Sequence, residues 1–113
     1  MAAIGLFRGS MHIMEWGNED MMAMIPRPCI GIPIREAFPE AEFEVAQAAM
    51  DECFRSGEFM KLVRPHGVLW LGPRYDGRGR VVGVATHLEF VPLTADAPPP
   101  TILRVPHLEA VRG

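Results

Sequence analysis

The side chains best suited to chemistry in this 113-residue chain are four histidines, two cysteines and the charged pair Arg35-Glu36. His12, His66, His87 and His107 make no HxxxH or HExxH pair, and no cysteine or acid stands at metal-ligand spacing from them. No metal site is predicted. Cys29 and Cys53 lack CxxC spacing and read as reduced thiols rather than a disulfide. Arg35-Glu36 reads as a brace that ties an irregular segment to its neighbours. Asp51, Glu52 and Arg55 read as a solvated helix face with one i,i+4 pair, Asp51 to Arg55. No Gly-rich phosphate loop, nucleophile elbow or paired-carboxylate motif is present. The expectation is a non-enzymatic protein with no catalytic residue. An α+β enzyme of unknown reaction is the contrasting possibility, because histidines and acids remote in sequence can meet in space.

Composition narrows the partners. A hydrophobic content of 49% and a charged content of 22% are ordinary for a globular domain. The length suits one core that buries roughly two-thirds of the unfolded surface. Net charge is only -3 and no block of Lys or Arg occurs, which argues against nucleic acid or an anionic membrane as partner. No apolar run approaches the ~20 residues of a membrane helix. The opening MAAIGLFRGS lacks a basic stretch followed by an apolar one, so a cytoplasmic location is expected. No kinase or helix-turn-helix segment follows the domain, so its output is expected to pass through a surface.

The elements that would position these residues can be read from periodicity. Residues 3–16 form a predicted hairpin turning at Arg8-Gly9-Ser10, with His12, Met14 and Trp16 on one face of its second strand. Asn18 is a predicted N-cap for a short helix over 19–25, with Glu19 and Asp20 at its positive end; Pro26 and Pro28 stop it. Pro39 should open a long helix, since its missing N–H is not needed at the first helical position. Phe43, Ala46, Met50, Cys53 and Phe54 fall on one face of that helix, and Gly57 is a natural stop. Strand-like runs follow at 60–64, 68–71 and 81–93, the last two joined by the turn cluster Tyr75-Asp76-Gly77-Arg78-Gly79. In the last run Val82, Val84, Thr86, Leu88 and Phe90 share the bulkier face, which should pack on the helices. Residues 1–93 then make the domain. Residues 94–113 make a stiff Pro-rich linker and a tail with apolar points at Ile102, Leu103, Val105 and Leu108.

Three blocks carry a resemblance. They are the hairpin leading to Trp16-Gly17-Asn18, the run GIPIREAFPE through the long helix to Ser56-Gly57-Glu58, and Asp76-Gly77-Arg78-Gly79-Arg80-Val81-Val82-Gly83-Val84. Together they resemble PAS sensor domains over about residues 3–93. One departure is the third strand, Met60–Arg64, which is short and soon broken by Pro65. The resemblance implies an α+β, PAS-like fold: an antiparallel sheet of about five strands with short helices and one long helix on one face.

The resemblance also implies a sensor or interaction module, bacterial in kind, that works in signal transduction. A ligand site would lie between the long helix and the inner sheet face, lined by Phe43, Met50, Phe54, Trp70, Val84, Thr86 and Leu88. The contrasting reading is that these residues simply fill a closed core. The usual haem histidine on the long helix is absent, which leaves His87, Cys53 or Met50 for any haem. Cys53 sits in ECFRS rather than the motif of the flavin-adduct photosensors. No resident cofactor is expected, a bound haem or fatty acid being the alternative. The outer sheet face, with Val81, Ala85 and Val91, is the expected homodimer contact, whose two-fold would be self-complementary. A signalling partner protein or a small apolar ligand completes the expected partners.

Overall fold

The computed structural model describes residues 2–25, 29–38, 40–64, 67–90 and 101–104, with only the backbone described for 40–42 and 101–104. The elements run β1 (Ala2–Arg8), β2 (Ile13–Gly17), α1 (Glu19–Met24), a 3-10 turn (Ile34–Ala37), α2 (Glu40–Ser56), β3 (Met60–Arg64), β4 (Gly67–Tyr75), β5 (Val81–Phe90) and β6 (Thr101–Arg104). The strands form one antiparallel sheet in the order β2-β1-β5-β4-β3-β6. This is the α+β arrangement expected, five strands with helices on one face, and β6 adds a sixth strand beside β3. Pro26, Pro28, Pro39, His66, Val91, the linker 94–100, Val105, His107 and Leu108 lie outside the described residues.

Each helix forms for a local reason. Asn18 caps α1 as its side chain accepts the Met21 N–H at 2.9 Å. The same carboxamide accepts the Ile4 N–H at 3.0 Å and donates to the Ala2 carbonyl at 2.9 Å, so one side chain starts the helix and ties it to β1. Along α2, Ala46, Ala49, Met50 and Cys53 are buried, while Phe43 and Phe54 pack half-buried beside them. That stripe lies across β3, β4 and β5. Gly57 ends α2 with φ +69° and donates its N–H to the Cys53 carbonyl at 2.9 Å. Tyr75 Oη donates to the Gly57 carbonyl at 2.7 Å, which fixes the helix end to the end of β4.

The hairpin departs from the expectation in two ways. Its turn spans residues 9–12, so His12 belongs to the turn and β2 begins at Ile13. A bulge then puts Phe7 opposite Met14 and Leu6 opposite Trp16, leaving Glu15 as the extra residue. Met14 is therefore buried while Trp16 stands 48% exposed on the other face. Glu15 uses its position to pair with Arg8 and with Arg74, the latter at 3.3 Å.

The irregular segment before α2 is held by backbone bonds. Gly31 donates to Met14 O at 2.9 Å, and Ile34 donates to His12 O at 3.1 Å. Bridges at Ile13–Pro33 and Met14–Ile30 cover the free edge of β2. Arg35 and Glu36 are both exposed, and neither makes an ion pair among the described residues. The expected brace is thus made by the main chain.

Candidate functional site

The inner face of the sheet and α2 enclose the region where a ligand was expected. Met50, Val84, Thr86 and Leu88 are all buried there, with Phe43 and Phe54 at its margin. Val82 and Phe90, placed on the same face by alternation, are exposed at the two ends of β5. Phe43 stacks nearly parallel on Phe38, with ring centroids 5.3 Å apart. Thr86 is the polar exception in an apolar wall.

Trp70 does not belong to this wall. Its register partners are His87 on β5 and Lys61 on β3, whereas Leu71 pairs with Thr86 and Met60. Directly paired residues share a face, so Leu69 and Leu71 point inward and Trp70 outward. The indole lies under the Lys61 ammonium, 4.6 Å from the ring centroid. Both faces of β4 carry large apolar groups, so alternation gave no way to assign this residue.

The outer face collects Ile4, Leu6 and Trp16 from the hairpin, Val68 and Trp70 from β4, and Ala85 from β5. Val81, expected on this face, turns to the helix side instead: an irregularity at the start of β5 pairs it with Tyr75, and its side chain approaches Gly57 at the end of α2. Phe59 lies over Gly72 at the same level. Most of these groups are half-buried without a covering element among the described residues. The rim is charged: Arg8, Arg74 and Glu15 at one side, Lys61 at another, and His87 beside Glu89 at 3.4 Å.

His87 therefore stands on the opposite face of the sheet from Met50 and Cys53. The three groups named as haem ligands are not brought together. Burial alone pushes the Cys53 thiol up to about 12 and also raises that of Cys29. Neither is a thiolate at neutral pH. Among the described residues no group of three or more His, Cys, Asp and Glu could hold a metal ion. No described helix is long and apolar enough to cross a membrane.

His12 is where the structure adds most. Its ring is fully buried and its backbone sits at φ +53°, which is uncommon for a residue with a β-carbon. Nε2 lies 2.7 Å from Asp51 Oδ1 on α2, and the ring meets Phe54 edge-on at 6.3 Å. Nδ1 has no hydrogen-bond partner among the described residues. Asp51 also accepts from Gln47 Nε2 at 3.1 Å. The expected Asp51–Arg55 pair is not formed: Arg55 reaches Glu52 one turn along, and Asp51 is committed to the hairpin. A half-open cleft of about 180 Å³ lies beside this contact, lined by Arg35, Phe43, Glu44, Gln47, Ala48 and Asp51. Only Phe43 is shared with the expected ligand wall. The sequence holds no signal for the His12–Asp51 contact, since the partners are 39 residues apart.

Known structures with the same fold place this architecture. The chain is similar to VqmA bound to DPO, with 19% identity and a TM-score of 0.68, over 84% of this chain and 55% of that one. It is similar to the Vibrio cholerae VqmA dimer in the absence of target DNA, at 18% identity and TM-score 0.68, over 86% of this chain and 49% of that one. It is also similar to a sensory box sensor histidine kinase from Vibrio cholerae, at 17% identity and TM-score 0.68, over 82% of this chain and 84% of that one. The fold is PAS-like. The chain spans about half the length of the VqmA chains it matches. No protein-family model matches, and no curated protein is significantly similar.

Proposed function

We propose that the chain is a non-enzymatic PAS-type signalling module that works by self-association through the outer face of its sheet. One observation carries this reading. The outer face sets the small Ala85 among the half-exposed aliphatics Ile4, Leu6 and Val68 and the two tryptophans, with Phe59 filling the space over Gly72. Small residues let two sheets approach closely, and tryptophans supply large contact area at low entropic cost. The charged rim holds both signs, which suits a two-fold contact that must match itself. Likeness of fold to a VqmA dimer supports the same reading. The buried, protonated thiols support the non-enzymatic part, as they lack nucleophilic character.

Sedimentation equilibrium tests it. The wild type should sediment as a dimer and Ala85→Glu as a folded monomer. A monomeric wild type, or a dimer that Ala85→Glu leaves intact, would refute the proposal.

A second reading is a ligand sensor that takes a small apolar molecule, a fatty acid or a haem between α2 and the sheet. Likeness to VqmA bound to DPO and the buried hydroxyl of Thr86 favour it. Native mass spectrometry of freshly purified protein should then show extra mass, lost in Thr86→Val for a polar-headed ligand. A haem would also colour the protein. Bare protein mass would leave the interaction reading alone.

A further inference from the structure

The half-open cleft of about 180 Å³ beside α2 lies apart from the outer face and shares only Phe43 with the inner wall. Arg35, from the 3-10 turn before α2, forms one side of it. Phe43, Glu44, Gln47, Ala48 and Asp51, from the helix, form the other. Its lining holds both signs of charge. Arg35 and Glu44 are exposed, and neither makes an ion pair among the described residues. The guanidinium thus lines the same space as two carboxylates without closing on either. Asp51 is held from behind, where His12 Nε2 at 2.7 Å and Gln47 Nε2 at 3.1 Å both meet Oδ1. Its side chain is still 56% exposed, so Oδ2 can accept a further donor.

Gln47 adds an unmet acceptor. A carboxylate only accepts, so the amide must turn its nitrogen to Asp51. That leaves Oε1, which is buried with no hydrogen-bond partner among the described residues. A buried polar atom without a partner is destabilising, and a donor seated in the cleft would relieve that. A small turn about the last side-chain bond, whose minima are broad, would bring this oxygen to the cleft.

We propose that this cleft binds a free α-amino acid with an apolar side chain. Arg35 takes the carboxylate, which its planar fork suits. The ammonium has three N–H donors for Asp51 Oδ2, Glu44 and Gln47 Oε1. Phe43 and Ala48 supply the apolar surface on which the side chain lies. Charge singles out a zwitterion. A simple anion would meet two carboxylates, and a simple amine would leave Arg35 unmatched. The occupant also shares Asp51 with His12, so it bears on the contact that ties α2 to the hairpin.

Isothermal titration calorimetry of the full chain with L-leucine tests the site. L-leucine should bind with one-to-one stoichiometry at millimolar concentration. Isocaproate, which lacks the ammonium, and isoamylamine, which lacks the carboxylate, should each bind roughly tenfold or more weakly. So should L-leucine to Arg35→Gln, and to Asp51→Asn, which keeps an acceptor for His12. Arg55→Gln, at an exposed position outside the cleft, should bind as wild type does. Absence of saturable binding at millimolar L-leucine would overturn the proposal. Equal binding of isoamylamine would show a plain cation site, equal binding of isocaproate a plain anion site, and either result overturns it. Binding that survives Arg35→Gln but is lost in Thr86→Val would put the ligand between α2 and the sheet, and overturn it too. Arg35 is exposed, so its variant decides even if Asp51→Asn fails to fold.

Discussion

The two faces of one sheet are built from the same strands and do different work. Val84 and Ala85 are neighbours on β5, yet Val84 is fully enclosed under α2 while Ala85 is half-open on the far side. Leu71 and Trp70 on β4 repeat the contrast. The inner face is closed by a helix whose position is fixed at both ends and in the middle. Gly57 and Tyr75 hold its C-terminus, the Phe38–Phe43 stack holds its start, and His12–Asp51 holds its centre. The outer face has no such cover among the described residues. The difference shows that large apolar side chains do not by themselves mark the core, because what decides is which face another element can reach.

The sharpest way to break this contrast is to charge adjacent residues. Val84→Asp should cost more than about 4 kcal/mol, because it buries an unpaired carboxylate. Within the monomer Ala85→Asp should cost about 1 kcal/mol or less, since there its side chain can reach water, so the two variants are compared at a dilution where both are monomeric. Urea unfolding of the two variants measures both. Equal losses would mean that the outer face is as closed as the inner one.

Asp51→Ala removes the central tie of α2 to the hairpin. It leaves buried His12 Nε2 without its partner, at an expected cost of about 1–3 kcal/mol. Asp51→Asn keeps an acceptor and should lose less. If both variants unfold like wild type, the contact does not hold the helix.

The inner wall should also be visible in thiol chemistry. Cys53 keeps its proton in the folded state up to about pH 12, whereas an unfolded cysteine loses it near pH 8.5. Folding stability linked to this group is therefore intact below the unfolded value and declines as pH rises through the window between the two. The alkaline loss of stability should be shallower in Cys53→Ala than in wild type. Cys53 should resist alkylation at neutral pH until the chain is unfolded, and rapid labelling of the native protein would contradict a closed wall.

The smallest effect belongs to the outer face. Lys61→Met removes the ammonium over Trp70 and should cost about 0.5–1 kcal/mol. A shift in indole fluorescence is the more sensitive readout, and an unchanged spectrum would show that the pair is not formed in solution.

Much of this plan was legible in the chain. The stripe from Phe43 to Phe54, the Asn18 cap, the Gly57 stop and the alternation through the middle of β5 depend on local geometry with periods of 3.6 or 2. Those residues carry their own instructions, so helix and strand positions followed, and with them the α+β arrangement. The candidate ligand wall was legible only in part. Val84, Thr86, Leu88 and Met50 were readable because their strand or helix has one polar or small face. Trp70 was not, because Val68-Leu69-Trp70-Leu71 is apolar on both faces and local pattern assigns neither.

What the tertiary structure alone decided rests on pairing between distant segments. Register against β3 and β5 turned Trp70 outward, a one-residue bulge turned Trp16 away from Met14, and β6 found the free edge of β3. His12 met Asp51, and Met14 met Cys29, only because the hairpin folds under α2 and beside the segment after α1. Sequence by itself determined which stretches become helix and strand, since those preferences are local. Which face is buried, and which side chains meet, was decided by strand register and helix docking, which no short window of sequence contains.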